Sequence, residues 1–341
     1  MEKEGRVFMR FGVWGYRHPH IGDFIREMLK LGHEFVGVCE KEPDLAKPLA
    51  EVFKVPLFTD EEWLFSLKPD IIGTSAVNSS KISIIESCAA HGIHVMADKP
   101  AVTNVEDYER LARTVNEGSV QIGLMLTERF NAPIYALHKL ITEGRLGRLV
   151  NISIMKPHKL NALSRSKWHF SKHDNGGLIV DLLVHDFDLL RWLTGSEIAE
   201  CKGYIKKGGN KRHPDFFDST QLAVRMDNDV TATLEADWWI PDKYRNYGDG
   251  RIFCVGTEGR VEVRTVEDLT DPERRPLTIF MDSDGGCTIC PLAEPALTLT
   301  EDYINRIHGM KDCIITHSDI LKCTYAALRA DREAKKIVVT D

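Results

Sequence analysis

The chain has 341 residues, 43% hydrophobic and 28% charged, a composition ordinary for a globular protein. That length exceeds one ordinary core and predicts two domains. A net charge of −7 without any Lys/Arg run argues against a nucleic-acid partner, and no stretch approaches the roughly 18 consecutive apolar residues of a membrane span.

The opening MEKEGRVFMRFGVWG mixes acidic and basic residues and enters a strand almost at once, unlike a signal peptide. A buried strand is expected over Arg6–Trp14, then a turn at Gly15 and an amphipathic helix through Leu31. Further strands are expected at 34–40, 55–59, 70–77 and 94–100, separated by a helix around 43–53, a short helix and a helix at 79–91. Strands alternating with helices at this spacing predict βαβ units and a parallel, doubly wound sheet, with ligands bound at the strands' carboxyl ends. The segment GVWGYRHPHIGDF resembles a dinucleotide fingerprint in which Arg17 and His20 replace the second and third glycines. Arg17 is expected either to point outward, adding a cation beside the phosphates, or to block the backbone's approach to them. Glu40, 25 residues after Gly15, closes the second strand. A carboxylate there accepts hydrogen bonds from ribose hydroxyls and repels a 2′-phosphate, favouring NAD over NADP.

After Glu128 the alternation stops. A helix at 132–143 leads to a strand at 150–160, a polar loop to His173, and the apolar helix GLIVDLLVHDFDLLRWL at 177–193. Strand-like runs follow at 199–207, 219–226, 229–240, 249–256, 260–267 and 276–282, then an amphipathic helix and final strand over 318–339. This pattern predicts an α+β domain with a large, mostly antiparallel, open-faced sheet. Its residual apolar face, with Val224, Leu234 and Trp238, is expected to pair with another subunit in a homodimer or homotetramer. The division expected is 1–128 for a nucleotide-binding domain and 129–341 for a substrate-binding and oligomerisation domain. The eight scattered cysteines fit free thiols in a reducing cytoplasm, the location expected. Cys287 and Cys290, a lone CxxC in a Gly-rich loop, read as incidental.

The helix at 177–193 carries most of the chemistry. Asp181, His185 and Asp188 fall on one stripe, because i, i+4 and i+7 share a helix face. Burying them costs several kcal/mol unless they are paired or used, so the stripe is either a functional site or a satisfied core network.

HVMADKP (94–100) and GGLIVDLLVHDFDLLRWLTG (176–195) together resemble the glucose-fructose oxidoreductase / inositol dehydrogenase / rhizopine catabolism (Gfo/Idh/MocA) family. The first resembles that family's strand ending in Glu-Lys-Pro, with Asp98 for Glu. The second resembles its GG-x-L-x-D-x-G-x-H-x-x-D signature, with Leu183 for the later glycine. RFNAP (129–133), EGRLGRLVNI (143–152) and RIFCVGTEGRVEV (251–263) resemble further family segments in the same order. In TSAVNSSK (74–81) Asn78 is retained, while Lys81 replaces a histidine near the nicotinamide edge.

The resemblance implies a nicotinamide-dependent oxidoreductase acting on a secondary alcohol of a sugar, cyclitol or related polyol. The residues expected at the cofactor are Gly15, Tyr16, Arg17, Glu40, Ser75, Asn78, Asp98 and Lys99. His185 is the natural base, its unperturbed pKa lying near neutrality. Asp181 orients the imidazole or bonds a substrate hydroxyl, and Lys99 stabilises developing alkoxide charge. Arg129, Lys156, His158, Trp168 and His169 are the residues expected to meet substrate, Trp168 by stacking on a sugar face. No metal is expected. The alternatives are a redox-neutral reaction with retained NAD, such as glycoside cleavage through a transient ketone, and a non-catalytic ligand sensor of the same fold.

Overall fold

The computed structural model describes residues 8–209, 212–213, 215–267, 273 and 275–339. Arg6 and Val7, expected in the first strand, lie outside them. The chain divides into two compact units, 1–125 with 297–321, and 126–296 with 322–341.

The first unit alternates strand and helix: β1 (Arg10–Tyr16), α1 (Ile21–Lys30), β2 (Glu34–Cys39), α2 (Pro43–Phe53), β3 (Leu57–Phe58), α3 (Glu61–Ser66), β4 (Ile71–Ser75), α4 (Lys81–Ala90), β5 (His94–Ala97), α5 (Val105–Glu117) and β6 (Ile122–Leu124). The six strands are parallel in the order β3-β2-β1-β4-β5-β6. Every residue of β4 and the five middle residues of β1 are buried. This is why those strands read as near-continuous apolar runs, for helices cover both faces of such a sheet. The strand order reverses between β1 and β4, which opens the crevice where doubly wound sheets bind ligands.

The second unit holds α6 (Ala132–Thr142), β7 (Leu149–Pro157), α7 (Lys172–Asn175), α8 (Gly177–Leu182), α9 (Val184–Thr194), β8 (Ile198–Lys207), β9 (Ser219–Met226), β10 (Thr231–Asp237), β11 (Arg251–Gly256), β12 (Gly259–Arg264), β13 (Leu277–Asp282) and β14 (Gly286–Cys290). After them, α10 (Leu299–Ile307) returns to the first unit, and α11 (His317–Glu333) precedes β15 (Lys335–Val338). The nine strands run β14-β13-β12-β11-β7-β10-β9-β8-β15. Only β7/β10 and β8/β15 are parallel. α8 packs on β9 and β10, and α9 on β7.

Three expectations need correction. Val224, Leu234 and Trp238 are buried within the second unit. On β9 and β10 the exposed alternate positions are Gln221, Ala223, Arg225, Thr231 and Thr233. Period-2 alternation identified two faces but assigned the wrong one to the open side. Segment 297–321, expected with the second domain, belongs to the first unit. Tyr303 Oη donates to the Gln121 carbonyl at 3.0 Å and Arg306 to that of Ile122 at 2.7 Å. The Ile122 N–H donates to His317 Nε2 at 3.0 Å. Cys287 and Cys290 sit on β14, paired to β13, rather than in a loop.

Candidate active site

In the first unit, the chain leaves β1 through Gly15, whose φ of +83° L side chains rarely adopt. A Cβ there would lie 2.5 Å from that of Ala76, so only glycine lets β1 and the end of β4 approach this closely. Beyond it, the Tyr16 N–H donates to Glu40 Oε2 at 2.8 Å and the Arg17 N–H to the Ser75 carbonyl at 2.9 Å. Glu40 is only 3% exposed and also accepts from the Glu42 N–H at 3.1 Å. The Arg17 guanidinium bridges Glu40 at 3.0 Å and Glu42 at 2.9 Å. Gly15, Arg17 and Glu40 line a cavity of about 400 Å³ with Trp14, Ala76 and Ser80. A tight glycine turn, a carboxylate at the second strand's end and a cavity joining them fit a dinucleotide.

Other expected cofactor residues are placed around this turn without lining that cavity. Ser75 is buried and registers with Tyr16 across β1/β4. Asn78 is buried in a short 3₁₀ turn at Asn78–Ser80. Asp98 follows β5, its N–H bonded to the Thr74 carbonyl at 2.8 Å and its carboxylate facing His18 and His20 at 3.4 and 3.3 Å. Burial alone would raise its pKa. The Lys81 ammonium and the two histidines outweigh that and hold it well below the usual carboxylate range. Lys99 is half-buried and joined to Pro100 by a cis peptide. Lys81 is fully buried, and its ammonium donates to the Asp98 and Pro100 carbonyls at 2.7 and 3.1 Å. The lysine that stands for a histidine thus fastens the backbone that carries Lys99.

In the second unit, the single helix expected over 177–193 is two helices, α8 and α9, meeting at Leu183. Hydrogen bonds continue across the joint, Leu183 N–H to Ile179 and Phe187 N–H to Leu183, so the i, i+4 spacing of the stripe is kept. Asp181 and His185 are 7% and 8% exposed. Asn175, at the end of α7, donates from Nδ2 to Asp181 Oδ2 at 3.1 Å and accepts the Gly177 N–H at 3.1 Å. It therefore ties the carboxylate to the start of its own helix. Asp188, the third member of the stripe, is claimed by Arg129, which donates from Nε at 2.8 Å and from a terminal nitrogen at 2.6 Å.

The expected substrate residues separate into two kinds. Arg129 is buried against Asp188, with Trp192 beneath its guanidinium, and belongs to the core. Lys156 is also buried, 3.2 Å from both Glu128 and Asp186. Burial would lower its pKa, but the two carboxylates raise it instead, while burial pushes Asp186 up to about 6 against the pull of Lys156. Lys156, Asp186 and His158 line a cavity of about 310 Å³ with Asn246 and Tyr247. Trp168 stacks on His169 with ring centroids 3.7 Å apart, and its buried Nε1 has no hydrogen-bond acceptor among the described residues. Of these features, the sequence left unread the roles of Asn175, Lys81, His18 and His20. A Gly-Gly helix start preceded by Asn was the available signal for the first.

The profile of an oxidoreductase family with an NAD-binding Rossmann fold matches residues 9–125, and that of the GFO/IDH/MocA C-terminal domain matches 134–262. The chain is 25% identical over 242 residues to the myo-inositol dehydrogenase Hyg17 of Streptomyces leeuwenhoekii, covering 68% of this chain and 70% of that protein. It is 23% identical over 320 residues to an inositol 2-dehydrogenase of Rhizobium meliloti, covering 89% and 91%. Among solved structures, a putative oxidoreductase from Erwinia carotovora atroseptica superposes with a TM-score of 0.87 at 24% identity, over 96% of this chain and 99% of the other. With both profiles in chain order on the two units, the chain belongs to the GFO/IDH/MocA family of NAD-binding oxidoreductases.

Proposed function

We propose that the protein is an NAD-dependent dehydrogenase acting on a secondary alcohol of a sugar, cyclitol or related polyol. The observation that carries this reading is the burial of both Asp181, held by Asn175, and His185 on α8 and α9 in a chain of this family. Bound NAD supplies the hydride acceptor. His185 takes the hydroxyl proton as general base. Asp181 orients it or holds a neighbouring hydroxyl, and Lys99 donates to the alcohol oxygen as charge develops there. The orphaned Trp168 indole N–H suits a substrate oxygen, because leaving such a donor unpaired costs roughly 1–3 kcal/mol. His158 and His169 complete the polar contacts. The relatives named as inositol dehydrogenases support a cyclitol as the first compound to test.

The deciding experiment is a screen of cyclitols, sugars and sugar acids with NAD, following absorbance of the reduced cofactor. Reduction with at least one polyol is expected. Tight NAD binding with no turnover across the panel would turn the assignment toward a redox-neutral enzyme or a sensor.

A further inference from the structure

Among the described residues, one group of three metal-ligating side chains converges, and it uses residues with no role in the proton transfer above. The ligand atoms of His18, His20 and Asp98 all lie within 4.8 Å of one another. We propose that His18, His20 and Asp98 form a binding site for a divalent first-row transition ion.

The spacing of these hydrogen-bonded groups also matches that of ligands sharing one ion. His18 Nδ1 stands 3.4 Å from Asp98 Oδ2, and His20 Nδ1 stands 3.3 Å from Asp98 Oδ1. Ligands at about 2.0–2.1 Å from a tetrahedral zinc lie about 3.3–3.4 Å from one another. Both nitrogens turn to one carboxylate from rings only 3.9 Å apart and nearly perpendicular. A shared cation would take a lone pair from each ring and sit against the Asp98 carboxylate that both face.

The site is also built. Pro19 separates the two histidines and restricts the backbone between them. On the other side Asp98 is immobilised twice, by its N–H on the Thr74 carbonyl and by Lys81 on its own carbonyl. Such outer contacts fix ligand geometry and raise affinity. The carboxylate is 4% exposed, while His18 and His20 are 27% and 48% exposed, which leaves an entry path and open coordination positions. Two imidazoles with one carboxylate suit Zn²⁺, Fe²⁺, Co²⁺ or Mn²⁺; the hard ions Mg²⁺ and Ca²⁺ prefer all-oxygen sets. An ion here would clip the segment after β1 to the end of β5, immediately before Lys99.

The test is equilibrium dialysis of chelator-treated, NAD-free protein against Zn²⁺ or Co²⁺ at micromolar concentration, with the Co²⁺ visible spectrum as a second readout. One ion per chain is expected, with His20→Ala and Asp98→Asn each weakening binding by about tenfold or more. His173→Ala, which removes an exposed histidine paired with its neighbour Asp174, should leave the stoichiometry unchanged. Should Asp98→Asn fail to fold, His20→Ala alone decides, because its half-exposed ring supports no core. Absence of binding by the wild type, or wild-type affinity in His20→Ala, overturns the proposal. A His20→Ala variant that loses NADH, followed by fluorescence, yet keeps Co²⁺ also overturns it and assigns the histidine to the dinucleotide.

Discussion

Arg129 and Asp188 meet through two parallel hydrogen bonds of 2.8 and 2.6 Å while both are almost completely withdrawn from solvent. The pair settles what one third of the ionisable stripe does. Asp188 is neutralised internally, which leaves Asp181 and His185 as the members of that stripe assigned to chemistry. Removing either partner strands a buried charge, at a cost of about 3–5 kcal/mol. Arg129→Ala and Asp188→Ala should therefore unfold at markedly lower denaturant, and Arg129→Lys should recover little because lysine cannot make the bidentate contact. A folded, stable Arg129→Ala protein with a raised KM would restore Arg129 to substrate binding.

Catalysis separates from stability at His185. His185→Ala is expected to lower turnover by about 10²–10⁴-fold with NAD affinity nearly unchanged. Lys99→Ala should cost comparable turnover and also loosen the cofactor. Asp181→Asn keeps an acceptor for Asn175 and should fold normally, with loss confined to KM and kcat. Kinetics paired with thermal melts read these outcomes; unfolded or fully active variants would mark the pair as a structural network.

Arg17 touches Glu40, so cofactor preference depends on both. With its guanidinium 3.0 Å away, the carboxylate repels a 2′-phosphate less than an isolated one would. Arg17→Gly should preserve or strengthen NADH binding and widen the preference over NADPH, as read by fluorescence titration. A loss of NADH affinity would show that Arg17 contacts phosphate when the dinucleotide is bound.

The Lys156–Asp186 pair gives stability a pH signature. Burial raises Asp186 to about 6, above its unfolded value of about 3.9, so between these values the folded state binds more protons than the unfolded. Stability from this group is full below the lower value and declines as pH rises through the higher one. Asp186→Asn removes that slope. Its melting temperature relative to wild type should rise between pH 4 and pH 6.5, and a constant difference would contradict the shift.

Much of the first unit was legible because parallel strands buried on both faces leave continuous apolar runs, and β1, β2, β4 and β5 were read that way. The Gly15 turn was legible because a positive φ leaves glycine as its mark. Long-range choices were not. Nothing in the amphipathic segment 299–307 states which sheet it covers, and only the Tyr303 and Arg306 bonds to the strand at 121–122 decide it. Leu183, standing for a glycine, carries no signal of a helix break. Arg129 is 59 residues from Asp188, and a lone arginine beside a Phe-Asn-Ala-Pro turn cannot announce a buried partner.

Assembly is the remaining prediction. The face of the second sheet that bears Gln221, Ala223, Arg225, Thr231 and Thr233 is exposed and polar rather than apolar. Such a surface suits a two-fold contact, in which each patch meets its own copy and needs both charge signs. Glu200 of β8 lies opposite Arg225 and pairs with Lys202 along its own strand, and Glu235 of β10 lies opposite Gln221, so the face carries both charge signs for antiparallel self-docking. Ala223, at the centre, allows close approach. Sedimentation should give a dimer or tetramer of the 38.6 kDa chain, and Ala223→Glu should shift it to monomer without lowering the unfolding midpoint of the isolated fold. A wild-type protein that sediments as monomer at micromolar concentration would leave this face without a partner copy.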